Sequence, residues 1–222
     1  MLNSSIGKKL IMSLAGIFLL SFLIVHLGIN LLLVIFKSRD AFNIAAHFMA
    51  TNIVIKVFEI VLFGGILIHA IYGIIVSLQN MAARGPVRYA KTYNSQTSFF
   101  SKFMFHTAVI IGIFLVLHLM DFYIKSKFFG AAPEIQINGK PYHDLGLLVE
   151  KRFEIGWVVV FYCVALLGLG FHLHHGFQSA FQTLGINHKT YTPVIKKIGI
   201  LYTIVVTVGF ILIPLFFYFT KY

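Results

Sequence analysis

Apolar positions in this chain come in long blocks rather than in alternation with polar ones. Five blocks stand out, at about Leu10–Phe36, Ile53–Gln79, Lys102–Lys125, Ile155–Gln182 and Ile198–Phe219. A helix needs about 20 residues to cross about 30 Å of hydrocarbon, and each block is long enough for one span. Barrel strands would read instead as ~10-residue segments of alternating polarity, a pattern these blocks do not follow. The pattern predicts an all-α integral membrane protein with five transmembrane helices in a single domain, residues 1–222. The block after Lys8-Lys9 stays apolar to Phe36, far beyond the roughly 7–15 residues of a signal-peptide core, and reads as a mature first span.

Four connections separate the blocks. Residues 37–52 (KSRDAFNIAAHFMATN) suit a short surface helix. Residues 80–101 are polar, with Arg84, Gly85-Pro86, Arg88 and Lys91. Residues 126–154 form the longest connection, hold four of the seven acids, and carry a turn signal at Asn138-Gly139. Residues 183–197 contain Lys189, Pro193, Lys196 and Lys197. None is long enough to be a domain of its own, so any soluble chemistry belongs to other chains.

Composition sharpens this picture. Charged residues make up 11% of the chain, against roughly 25% in ordinary soluble domains, too few to cover a water-facing surface. The net charge of +11 sits between the apolar blocks and not along one face. It therefore reads as anchors to anionic lipid headgroups and a docking surface for soluble partners, with no nucleic-acid role. With the N-terminus placed in the cytoplasm, the 18 Lys and Arg divide evenly between the two sides. The basic N-terminal segment and first inner loop favour that orientation. Cys163 is the one cysteine and lies inside a block. That excludes an intramolecular disulfide, a cysteine-held iron–sulfur cluster and the C-x-x-C-H attachment of covalent heme.

Histidine changes the picture most. Ionisable groups inside a span are costly and usually functional, and His26, His69, His118 and His172 each fall within one of the first four blocks. Counted from the proposed cytoplasmic ends at ~1.5 Å per residue, His26 and His118 lie about 24 Å deep, and His69 and His172 about 15 Å. Two rising and two falling helices thus carry two depth-matched pairs. His69 and His172 each sit in a Gly-x3-His-x3-Gly frame (Gly65/Gly73 and Gly168/Gly176), while His26 and His118 share Phe-Leu-x-x-His-Leu with Phe22 and Phe114. Side chains on a helix cover the i−4 row, so glycine there leaves room for a flat macrocycle and phenylalanine packs on its edge. The same glycine spacing also serves plain helix packing. No acid or cysteine joins either pair, which disfavours zinc. The pairs read as metal ligands of two hemes. His172 has the two-glycine frame and the depth match that His174 and His175 lack. His47, His106, His143 and His188 fall at span ends or in connections.

With these residues in place, the chain resembles the diheme cytochrome b membrane anchor of succinate:menaquinone oxidoreductases, related to five-helix quinol:fumarate reductase anchors. The matching stretches are LIVHLGIN around His26, FNIAAHFM at 42–49, ILIHAIYG around His69, FLVLHL around His118, and FHLHHGFQSAFQTLG from Phe171. Their order and spacing agree over nearly the whole chain. The resemblance implies a first-four-helix bundle holding two b hemes, an inner one between His69 and His172 and an outer one between His26 and His118. It implies electron transfer between an iron–sulfur subunit and menaquinone, with a flavoprotein subunit beyond, as in a succinate dehydrogenase or fumarate reductase. It also implies a bacterial cytoplasmic membrane, a cytoplasmic N-terminus, and no succinate site on this chain, which is the non-flavin part of the enzyme.

Related fumarate reductases place a glutamate for quinone chemistry before the second span, where this chain has Asp40 and His47 but no glutamate. Glu59 and Asp121 are the candidates here for quinone and proton handling. A salt bridge from Glu59 to Lys56 one turn away and an outer-shell role for Asp121 beside His118 are the structural alternatives. Two other readings share the histidine pattern: a diheme cytochrome b of a hydrogenase or formate dehydrogenase, and a small histidine-dependent transporter.

Overall fold

The computed structural model describes residues 4–84 and 103–220, so Gly85-Pro86, Arg88, Lys91 and Lys102 lie outside the described residues. Helix α1 (Ser5–Ile35) starts at Ser4, whose hydroxyl accepts from the Gly7 amide at 3.0 Å. A surface helix follows, α2 (Arg39–Thr51), matching the expectation for residues 37–52. Asn52 ends α2, and its side-chain oxygen accepts from the amides of Val54 and Ile55, so the same residue opens α3 (Ile53–Arg84). Helix α4 (Met104–His118) runs through a wide π-helical turn, Leu119–Ile124, into Lys125–Lys127. The last two spans are α6 (Gly156–Thr183) and α7 (Tyr191–Phe219).

Helices α1, α3, α4 with its extension, α6 and α7 are all long and apolar enough to cross a bilayer. Their exposed side chains are largely Ile, Leu, Val and Phe, and lipid rather than water accounts for such a surface. The protein has the all-helical, multi-pass membrane architecture that the apolar blocks predict. One boundary differs in an instructive way: α7 begins at Tyr191, seven residues before the predicted start. Pro193 falls in its first turn, where a missing amide costs no hydrogen bond, and the polar turn simply continues the helix beyond the apolar layer.

The long connection is the main departure from the sequence reading. It forms a two-stranded ribbon, β1 (Glu134–Ile137) paired antiparallel with β2 (Lys140–His143), and then helix α5 (Leu145–Phe153). Asn138 and Gly139 both have positive φ, 53° and 72°, as a two-residue hairpin turn of type I′ requires. Asp144 caps α5 through the Leu147 amide. Asn43 of α2 is 1% exposed; its amide donates to Asp144 at 2.9 Å and its oxygen accepts from Gly146. Arg39 adds ion pairs to Asp144 and Glu150. Together α2, the ribbon and α5 cap the end of the bundle away from the N-terminus.

Within the bundle α1, α6 and α7 form the packed centre, α3 rests chiefly on α1, and α4 on α6. Small residues set the close approaches. A methyl group at Gly209 would come within 2.9 Å of Leu27, and one at Gly199 within 2.7 Å of Phe177. The core of Leu27, Leu33, Val158, Tyr162, Val206 and Ile213 lies beside these contacts.

Candidate functional site

The four intramembrane histidines meet in two pairs. The His69 ring of α3 faces that of His172 of α6 with centroids 6.2 Å apart, and the His26 ring of α1 faces that of His118 of α4 at 5.8 Å. Each pair joins helices whose backbones pack mainly on other partners, so the side chains reach across the space between them. The pairs sit at different levels. Gly16 of α1 lies at the level of His69, since a methyl group there would touch the His69 ring at 3.4 Å. From Gly16 to His26 is roughly 15 Å along the helix, and from Thr107, which contacts His172, to His118 is roughly 16 Å. Two independent helices thus give the same spacing.

Hydrogen bonding fixes the chemistry of the first pair. The carbonyl of Met12 can only accept, so His69 Nδ1, 3.2 Å away, carries the proton. The Thr107 hydroxyl donates to the Met104 carbonyl at 2.9 Å and accepts from His172 Nδ1 at 3.4 Å. Both rings therefore keep the Nε2 lone pair for a ligand, the arrangement in which metal-ligating histidines are oriented by outer-shell acceptors. The second pair is held by aromatic rings. Phe22 stacks on His26 (5.2 Å, 17°), Phe114 stacks on His118 (5.5 Å, 25°), and Phe210 and Phe122 flank the two. Asn30 donates to the His26 carbonyl at 2.8 Å and stands 3.5 Å from its Nδ1. His118 Nδ1 is buried with no hydrogen-bond partner among the described residues.

These distances suit a metal bound between each pair. Two metal–imidazole bonds of about 2 Å each hold opposed ring centres roughly 6 Å apart. Among the described residues no third histidine, cysteine or carboxylate joins either pair to complete a metal site. A metal held by either pair would need ligands beyond these two histidines.

Gly65 and Gly168 face Phe18 of α1 and Ile110 of α4 at ordinary contact distance, and a methyl group at Gly176 would meet nothing within 4 Å. Phe22 and Phe114 lie on the imidazole rings themselves. Glu59 pairs across helices with Lys127 of the α4 extension at 2.6 Å and accepts from the Tyr123 hydroxyl, in place of the expected bridge to Lys56. Asp121, 9% exposed, accepts from Arg152 Nε at 2.7 Å and from the Tyr162 hydroxyl at 3.1 Å, with Lys125 at 3.7 Å. The ring facing His69 is that of His172, with His174 and His175 half-buried farther along α6. His47 packs edge-on against Tyr142 of the ribbon, and His188 lies in the α6–α7 connection, bonded to Thr192.

Met12, Gly16, Thr107, Arg152 and Tyr162 enter the site without a signal in the sequence, because each acts through a partner on another helix. Five apolar spans and two facing histidine pairs define the class as a multi-pass membrane protein with two-histidine sites inside the bundle. No family model, curated protein or solved structure matches the chain.

Proposed function

We propose that this chain is the diheme cytochrome b anchor of a succinate:menaquinone oxidoreductase or related fumarate reductase. The observation that carries the reading is the pair of facing histidine couples, roughly 15 Å apart along the bundle, with ring spacings of 6.2 and 5.8 Å. His69 and His172 hold an inner b heme, and His26 and His118 an outer one. The hemes supply one-electron carriers at two depths. The chain's own residues keep the rings aligned through Met12 and Thr107 at one level and through Phe22 and Phe114 at the other. The apolar spans exclude water from both.

On this reading the N-terminal end faces the bacterial cytoplasm, where an iron–sulfur subunit and, beyond it, a flavoprotein subunit would dock beside the His69–His172 level. Menaquinone would bind toward the His26–His118 level. Glu59 exchanges a proton with the quinone oxygen, with Lys127 and Tyr123 of the α4 extension holding its carboxylate; Asp121 is the second candidate. The deciding experiment is a pyridine hemochrome assay of the purified chain. Two b-type hemes per chain, fully extracted by acid-acetone, are expected. A stoichiometry of one or zero, or heme left covalently attached, overturns the proposal.

A further inference from the structure

Directly after His118 the backbone leaves regular α geometry for the π-helical turn Leu119–Ile124. Such turns are rare and recur at functional sites. This one directs neighbouring residues to two different sides. Tyr123 faces α3, where it meets Phe63 and Glu59. Asp121 and Phe122 face α5 and α6, where they meet Arg152 and Tyr162.

The second group forms a continuous path to the ligand pair. Tyr162 is 3% exposed. Its ring lies 6.3 Å from that of His118 and 5.1 Å from Phe114, which stacks on His118. Its hydroxyl donates to the Asp121 oxygen that also takes the Arg152 hydrogen bond. Arg152 is held from its other side by the Trp157 ring at 5.6 Å and keeps 22% of its side-chain surface exposed. A buried carboxylate one turn from His118 is thus paired with a guanidinium that Trp157 also holds, with the Lys125 ammonium 3.7 Å away.

We propose that Asp121 and Arg152 are a fixed charge pair that sets the midpoint potential of the outer heme, with Tyr162 as the positioning residue that ties the pair to His118. The proposal rests on the diheme reading and deepens it. The oxidised heme carries one more positive charge than the reduced form. A nearby carboxylate therefore favours the oxidised state and a nearby guanidinium the reduced state, by Coulomb interactions that low polarity strengthens. Lys125, 3.7 Å from the other Asp121 oxygen, adds a second cation to the cluster, and removing either the carboxylate or the guanidinium shifts the local charge in a known direction. Burial makes the pair costly to break, while the more exposed Glu59 and Lys127 form a separate group on the α3 side of α4.

The test is a potentiometric titration of both hemes in the intact complex, following their α bands. Asp121→Asn removes the negative charge and leaves Arg152, so the outer heme's midpoint potential shifts upward. Arg152→Gln leaves the carboxylate and shifts it downward, and Arg152→Lys, which keeps the charge, restores most of the original value. The inner heme stays within error in all three. Unshifted values in both charge-removing variants, shifts of the same sign, or equal shifts of both hemes overturn the proposal. Should Asp121→Asn purify without its outer heme, the two Arg152 variants decide by the same criteria. Loss of the outer heme from Arg152→Gln and Arg152→Lys alike makes the cluster a structural clamp and also overturns it. A wild-type chain without heme defeats the underlying reading instead.

Discussion

His172 shares one turn of α6 with His174 and His175, yet its ring is the one that meets His69, with Nδ1 held by Thr107. An alanine at His172 or His69 is therefore expected to reduce heme from two per chain to one, whereas His175→Ala retains two; hemochrome stoichiometry reads the difference. Loss of heme in His175→Ala with retention in His172→Ala reverses the assignment. At Glu59 the same scale of argument applies to protons. Its carboxylate is bound by Lys127 and Tyr123 and 25% of its side chain is exposed, so it is reachable from outside the bundle. Glu59→Gln keeps size and hydrogen bonding but carries no exchangeable acid proton. Both hemes and dye-linked succinate oxidation are expected to persist while quinone-linked turnover falls by an order of magnitude or more, by the roughly 10²–10⁴-fold worth of general acid–base catalysis. Unchanged turnover would exclude Glu59 and leave Asp121. Residue type and spacing are enough to single out these side chains. Their partners are not legible, because Thr107, Met12 and Lys127 lie far from them in sequence and become neighbours only when the helices pack.

At the scale of elements, two contacts decide how the bundle closes. Gly209 lets α7 lie against Leu27 of α1, and a side chain there would begin 2.9 Å from it. Overpacking of this kind costs about 1–3 kcal/mol. Gly209→Val is thus expected to lower the thermal stability of the purified protein, followed by loss of helical circular dichroism, while Gly64→Ala, which meets nothing within 4 Å, leaves it unchanged. The cap depends on Asn43 in a similar way. Asn43→Ala removes a donor to Asp144 and an acceptor from Gly146, and each buried group left unpaired costs about 1–3 kcal/mol. Faster proteolysis between residues 128 and 144, with heme content retained, is the expected result. The ribbon escapes sequence reading because its strands are four residues each. Only the Asn138-Gly139 turn marks it, through the left-handed backbone that both positions adopt.

For the whole molecule, the distribution of charge suggests its orientation. All seven acids fall in α2, α3 near its start, the α4 extension, the ribbon and α5 with its flanking residues Asp144 and Glu154. Lys8, Lys9, Lys189, Lys196 and Lys197 occupy the other end. With the basic end inside, a cysteine placed at Gly139 is expected to react with an impermeant maleimide in right-side-out vesicles, and one at Lys189 only after permeabilisation. The reverse pattern would invert the topology.

What the sequence by itself determines here is the class and the level of each group. Long apolar blocks impose spans because an unpaired peptide group in hydrocarbon is too costly for any other continuous structure. A constant rise per residue turns position in a span into depth, so the four histidines sort into two levels before any contact is known. Direction around the helix axis is a different matter. It depends on which neighbours pack against which face, and small residues such as Gly16, Gly199 and Gly209 set those approaches to within an ångström. Only the tertiary structure decides that Glu59 turns to Lys127, that Asp121 turns to Arg152 and Tyr162, and that the rings of His69 and His172 meet with a carbonyl and a hydroxyl at their Nδ1 atoms. Depth is a local property of the chain, and facing is a property of the pair.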